Sequence, residues 1–175
     1  MKIFATFILA IFSFYPFFVS SELRIDITKG NLDPIPIAIL KFNSNEREET
    51  DLSKNINNVI KNNLSRSGLF SVLPDKIFLN NKISFNKKPE FADWKLTTSQ
   101  GLVHGKLRLD GNKLSIEFRL WDIFSQKQMI AQQLVTEKNN WRRISHVISD
   151  IIYQRITGES GYFDSRIVYI SESGP

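Results

Sequence analysis

The clearest helical periodicity in the chain lies towards its carboxy-terminal end. Trp141, Ile144, Val147, Ile148, Ile151, Ile152 and Ile156 recur at spacings of three and four, so they share one helical face. Burying such side chains contributes roughly 1.5 to 3 kcal/mol each, as an upper bound, which exceeds helix propensity and implies a partner sheet. Asn140 is placed to cap the first amides and Gly158 to supply the left-handed carboxy-terminal cap. At the other end, Leu23, Ile25 and Ile27 alternate with Arg24, Asp26 and Thr28, the period of a half-buried strand. Gly30 to Pro36 interrupts it, because Asp33-Pro34 and Ile35-Pro36 restrict the backbone, and this stretch is expected to be a linker or a turn between strands. Ile37, Ala38, Ile39, Leu40 and Phe42 then form an apolar run short enough for a strand buried on both faces.

A polar stretch, Asn43 to Asp51, precedes a helical stripe of Leu52, Ile56, Val59, Ile60 and Leu64 that ends before Gly68. Leu69 to Leu73 reads as a short strand, and Asp75 to Lys88 as an irregular connection. Pro89 suits the first position of a short helix in which Phe91, Trp94 and Leu96 pack. Gly101 to Leu109, Lys113 to Asp122 and Met129 to Thr136 repeat the strand period, with Asp110-Gly111-Asn112 as a hairpin turn and Phe124 to Lys127 as the next turn. This order predicts an α+β fold: one sheet with covering helices, most simply on one side. Beyond Gly158, Tyr162, Phe163 and the run from Ile167 to Ile170 have strand composition with no later strand to pair with.

Composition narrows the class more than the function. The 175 residues suit one domain with short extensions, and 42% apolar with 23% charged residues is globular. With 23 basic against 18 acidic residues, the net charge of +5 is too modest to name a ligand. Met1 to Ser21 has an early Lys2 and then an apolar run to Val19, the order of a secretory signal peptide. Val19 and Ser21 are small enough for signal peptidase, which places cleavage between Ser21 and Glu22. The alternative is an uncleaved anchor, for which the run is marginal. No cysteine is present, which excludes disulfides, an amino-terminal lipid-modified cysteine and thiolate chemistry.

Candidate chemistry is sparse, so no catalytic, cofactor or metal site is expected and the chain reads as a non-enzyme. His104 falls within a predicted strand and His146 on the last helix, without ligand-spaced partners. Gly101 and Gly105 sit in a strand rather than in a phosphate-binding loop. Glu46, Glu48, Glu49 and Asp51 suit the positive end of a helix better than a metal. Lys106, Arg108 and Arg119 beside Trp121 resemble a nucleic-acid face, but alternation with Leu is what one-sided burial produces, and no nucleic-acid partner is expected. What remains is binding through the backbone. A terminal strand on a proline-rich tether is able to pair with the edge of another protein, or to stay as a fixed edge.

Two segments carry a family resemblance. Thr157-Gly158-Glu159-Ser160-Gly161-Tyr162-Phe163 followed by Arg166-Ile167-Val168-Tyr169-Ile170, and Glu22 to Ile27 followed by Gly30 and Pro36-Ile37, resemble the TolB family of the Tol-Pal system. The resemblance implies residues 1–21 as signal peptide, 22–161 as a TolB-like amino-terminal domain with a mobile strand at 22–31, and 162–175 as the start of a β-propeller that is absent. It implies a mixed sheet, a periplasmic location, and peripheral attachment to the membrane through partners. It also implies binding of the TolA periplasmic domain through Glu22, Leu23, Arg24, Ile25, Asp26 and Ile27, and of Pal through the propeller alone. The implied role is in outer-membrane integrity and constriction at division. An exported basic domain that binds a polyanion or membrane surface is the competing reading.

Overall fold

A computed structural model describes Leu23, residues 33–78 and residues 83–166 of the chain. Five strands form one mixed sheet in the order β2-β1-β3-β4-β5. They are β1 (Ile35–Ile39), β2 (Phe70–Val72), β3 (Gly101–Asp110), β4 (Lys113–Asp122) and β5 (Lys127–Glu137). β1 runs parallel to both β2 and β3, whereas β3, β4 and β5 form an antiparallel meander. Parallel neighbours need a crossover, and helix α1 (Arg47–Arg66) supplies it between β1 and β2. Helix α2 (Phe91–Lys95) precedes β3, and helix α3 (Trp141–Thr157) follows β5. Among the described residues no helix is long and apolar enough to cross a membrane.

The sheet is covered on both faces, which differs from the one-sided cover expected. Ile35, Ile37, Ile39, Val103, Leu107, Ile116 and Phe118 face α1 and α3 and form the larger core with Ile56, Ile60, Ile148 and Ile152. Ala38, Leu102 and Trp121, alternate to these along their strands, form a smaller core with Phe78, Phe91, Trp94 and Ile123. The irregular stretch after β2 thus contributes a 3₁₀ turn at Asp75–Phe78 and a buried Phe85. α2 is one turn long and capped at Glu90, so Pro89 precedes the helix rather than opening it, and Leu96 is 86% exposed rather than packed.

Local chemistry explains the other departures. β1 begins at Ile35, so Pro36 lies inside a strand rather than in a linker. The Ile35 amide bonds Leu69 O at 2.9 Å and Pro36 O accepts from Gln100 N at 2.8 Å; the missing Pro36 amide falls before β3 begins, where no ladder acceptor is left waiting. Asn140 makes no side-chain cap, because a 3₁₀ turn at Lys138–Asn140 leads directly into α3. Gly158 does close α3, with φ of 82° and its amide 2.8 Å from Gln154 O. Tyr162 and Phe163 are not in a strand; both rings meet Tyr153, at 5.6 and 5.7 Å. Residues 167–175 lie outside the described residues.

α1 starts well before Leu52 because Glu49 reaches back over its amino terminus. Glu49 Oε2 accepts from Asn45 N at 2.7 Å and Glu46 N at 3.3 Å, while Oε1 accepts from Leu109 N of β3 at 2.9 Å. One carboxylate, 3% exposed, therefore caps the helix and ties it to the sheet. Burial pushes this carboxyl up, but the amides of Asn45, Leu109 and Glu46 with the Arg108 guanidinium outweigh it and hold it below its ordinary 4.5. Farther along α1, Ser53 Oγ donates to Phe42 O at 2.8 Å and Asn57 Nδ2 to Leu40 O at 2.7 Å, which satisfies carbonyls where β1 has ended.

Glu49→Ala strands these amides and should cost on the order of 3 kcal/mol in urea unfolding. Because the folded carboxyl titrates low, its contribution is complete above about pH 4.5 and is lost as pH falls through the folded value. Glu49→Gln should flatten that acid limb; an unchanged limb would mean that other carboxylates set it.

Candidate functional site

Of the six residues expected to bind a partner, only Leu23 is described; Glu22, Arg24, Ile25, Asp26 and Ile27 lie outside the described residues, as does Ser21 of the expected cleavage site. Leu23 is seated at the end of the sheet where β3 starts and β4 stops. Its amide donates to Asp122 Oδ2 at 2.9 Å. Asp122 is 1% exposed, and its other oxygen accepts from Phe124 N at 2.9 Å and Ser125 N at 3.1 Å. The same carboxylate therefore shapes the β4–β5 turn, where Gln126 takes φ of 57°, and receives the amino-terminal chain. The Leu23 side chain joins the edge of the larger core, and a Cβ on Gly101 would stand 3.7 Å from Leu23 Cδ2 and 3.3 Å from Ile37 Cγ1.

A cleft of about 440 Å³ opens beside this seat, lined by Leu23, Ile130 and Gln132 of β5, and Ile151, Gln154 and Arg155 of α3. Asp122 was not legible as a site residue. In sequence it is an aspartate at a strand end before a turn, and nothing marks a partner 99 positions away.

A second polar constellation lies under the opposite face. His104 is 2% exposed, and its Nε2 accepts from Trp121 Nε1 at 2.8 Å. That bond makes Nε2 the acceptor, so the neutral ring carries its proton on Nδ1, which is buried without a partner. Phe85 lies against the ring, with centroids 5.6 Å apart, and carries Arg119 over its own ring at 4.5 Å and Lys106 at 4.9 Å. Lys106 also pairs with Glu117 at 2.7 Å. Arg108 stands 3.7 Å from Glu49, and Glu48 pairs with Lys138. The basic residues that suggested a nucleic-acid face are thus engaged within the domain. His146 faces Asn63 at 2.9 Å, and among the described residues no group of His, Asp and Glu is disposed to hold a metal.

A family model described as the TolB amino-terminal domain matches residues 23–129. The Tol-Pal system protein TolB of Pelagibacter ubique is 42% identical over 174 residues, which span 94% of this chain and 39% of that protein. That of Paramagnetospirillum magneticum is 44% identical over 157 residues, which span 89% of this chain and 35% of that protein. The crystal structure of TolB from Acinetobacter baumannii superposes with a TM-score of 0.64 at 24% identity, over 82% of this chain and 33% of that one, and shows the likeness in fold. The chain thus spans between a third and two fifths of the length of these relatives.

The buried imidazole yields a pH prediction. Burial, with Arg119 adding repulsion, pulls His104 from 6.5 down to about 4. Below 6.5 the unfolded chain takes up a proton that the folded one refuses, so stability should fall by roughly 3 kcal/mol between pH 6.5 and 4. Urea titrations across that range should show the slope, and His104→Gln, which keeps an acceptor for Trp121, should remove it.

Proposed function

This chain belongs to the TolB amino-terminal domain family, a component of the Tol-Pal system, and from that premise we propose that it is the partner-binding module of a periplasmic TolB. In this reading Glu22 to Ile27 form an exchangeable segment that binds the TolA periplasmic domain by strand addition. Pal is bound by the propeller of the full-length protein. The role is mechanical coupling that maintains the outer membrane and supports its constriction at division, without covalent catalysis.

The observation that carries the reading is the seat of Leu23. Its amide is held by a side-chain carboxylate, and its side chain is only partly buried. A contact of that kind is worth about 1 to 3 kcal/mol, small enough for a partner's main-chain ladder to replace. The match to the family begins at this same residue. The polyanion reading has less support, since Lys106, Arg108 and Arg119 each face an internal carboxylate or ring.

The test is an NMR titration of the chain from Glu22 onwards with the TolA carboxy-terminal domain, beside a version lacking Glu22 to Asn31. Binding should vanish with the deletion and persist in moderate salt, because a backbone ladder is screened far less than surface charges are. Binding that survives the deletion, or collapses steeply with salt, would sink strand capture.

A further inference from the structure

The aromatic layer on the second face of the sheet is attached more lightly than the helices on the first. Its backbone bonds are local: Ile77 N donates to Pro74 O at 3.1 Å, Lys87 N to Ser84 O at 3.0 Å, Asp93 N to Glu90 O at 3.1 Å and Thr97 N to Trp94 O at 3.1 Å. It meets the rest of the domain through Asn43 Nδ2, which donates to Ile83 O at 3.1 Å, through the Lys61–Asp75 pair, and through packing. We propose that this layer is an acid-released cover: protonation of His104 loosens Phe78, Phe85, Phe91 and Trp94 from the sheet while the sheet and its two long helices stay folded.

The geometry around the imidazole carries the first step. His104 Nε2 and Trp121 Nε1 are 2.8 Å apart, and an indole nitrogen only donates. A proton on Nε2 sets two donors against each other, so protonation breaks this bond whatever the ring's proton affinity. Nδ1 already carries the other proton and is buried without a partner. An imidazolium would thus hold two unbonded N–H groups among apolar side chains, a state relieved when Phe85 departs and water enters.

The charges facing the ring act in the same direction. Arg119 is the ladder partner of His104 on β4, and Lys106 lies two residues along β3. Both cations stand over the Phe85 ring that packs against the imidazole, so an imidazolium adds a third positive charge around one phenyl group. Glu117 supplies a carboxylate but is paired with Lys106 at 2.7 Å, and Asp122 is turned to the amides of Leu23, Phe124 and Ser125. In the cover itself Lys88 stands 5.1 Å over Phe91, while Glu90 and Asp93 are exposed and lie in water whether the cover is seated or not.

Linkage supplies the sign. Burial, with Arg119 adding repulsion, holds the covered ring at about 4 against 6.5 for a wetted one. Between these values an open form takes up a proton that the closed form refuses, so its population grows about tenfold for each pH unit of acidification. Every opening that wets the imidazole gains this proton, global unfolding included. Departure of the smaller layer breaks least, because β3 and β4 stay paired along their whole length and α1 and α3 keep the larger core on the other face.

The experiment is hydrogen exchange read by NMR on the whole chain, in steps from pH 6.5 down to about 4, with and without low urea. Each rate is divided by the intrinsic rate at that pH. The Trp121 indole N–H and the Asp93 and Thr97 amides should lose protection about tenfold per pH unit, with little dependence on urea. Ile148 and Ile152 should keep higher protection and the steep urea dependence of global unfolding. His104→Gln leaves Trp121 an acceptor that does not titrate and should abolish the slope at all three cover reporters. A urea dependence shared with Ile148 and Ile152 overturns the proposal, since only global unfolding would then wet the ring; so does a flat pH response, or a slope that survives His104→Gln. The urea comparison uses the parent chain and holds even where the variant fails to fold. No TolA is present, so the outcome is independent of the partner reading.

Discussion

Carboxylates that accept backbone amides from distant segments hold this fold together where strand ladders and helix turns run out. Glu49 fastens the start of α1 to the far end of β3. Asp122 fastens the β4–β5 turn and Leu23 to the opposite end of the sheet. Asp150 receives Phe163 N at 2.8 Å and Asp164 N at 3.0 Å, and so lays the chain after α3 back along that helix. Each is a charge-assisted bond to an amide that would otherwise have to find water. The apolar cores supply cohesion, but these three side chains decide where the loose ends lie.

β3 shows why the positions of such fasteners matter. It is parallel to β1 on one side and antiparallel to β4 on the other, and its first half is buried on both faces. Two helices fill one face, and a short helix with a 3₁₀ turn fills the other. Gly105 marks the tightest point, since a Cβ there would stand 2.6 Å from Glu117 O and 3.0 Å from Phe42. The strand cannot shift register without losing both cores, so Leu109 is always presented to Glu49, and Gly101 always borders the seat of Leu23.

The strands and long helices were legible because their apolar periods are strong. The Ile and Leu stripe of α1, the Ile stripe of α3 and the Gly111 hairpin all stand where the periodicity put them. The layer over the second face was not, because it is built from isolated aromatic residues, Phe78, Phe85, Phe91 and Trp94, set in polar sequence without a period. The site was half legible. Terminal alternation and the family likeness pointed to Leu23, but Asp122 looks like an ordinary turn residue until folding brings it to Leu23. Glu49 was visible as a helix-start acid, whereas its second role depends on a strand 60 residues later.

The junction after α3 has a geometric consequence of its own. Gly161 leaves no room for a side chain, because a Cβ would stand 2.5 Å from the Asp150 Cα, and Arg143 also reaches Asp164 at 3.2 Å. The departing chain is therefore indexed to α3 like a gear tooth to its wheel. One residue inserted between Arg143 and Asp150 would rotate one anchor by about 100° relative to the other around the helix, so that they could no longer grip the same segment. The phase of α3, and not merely its length, sets the heading from which whatever follows must start.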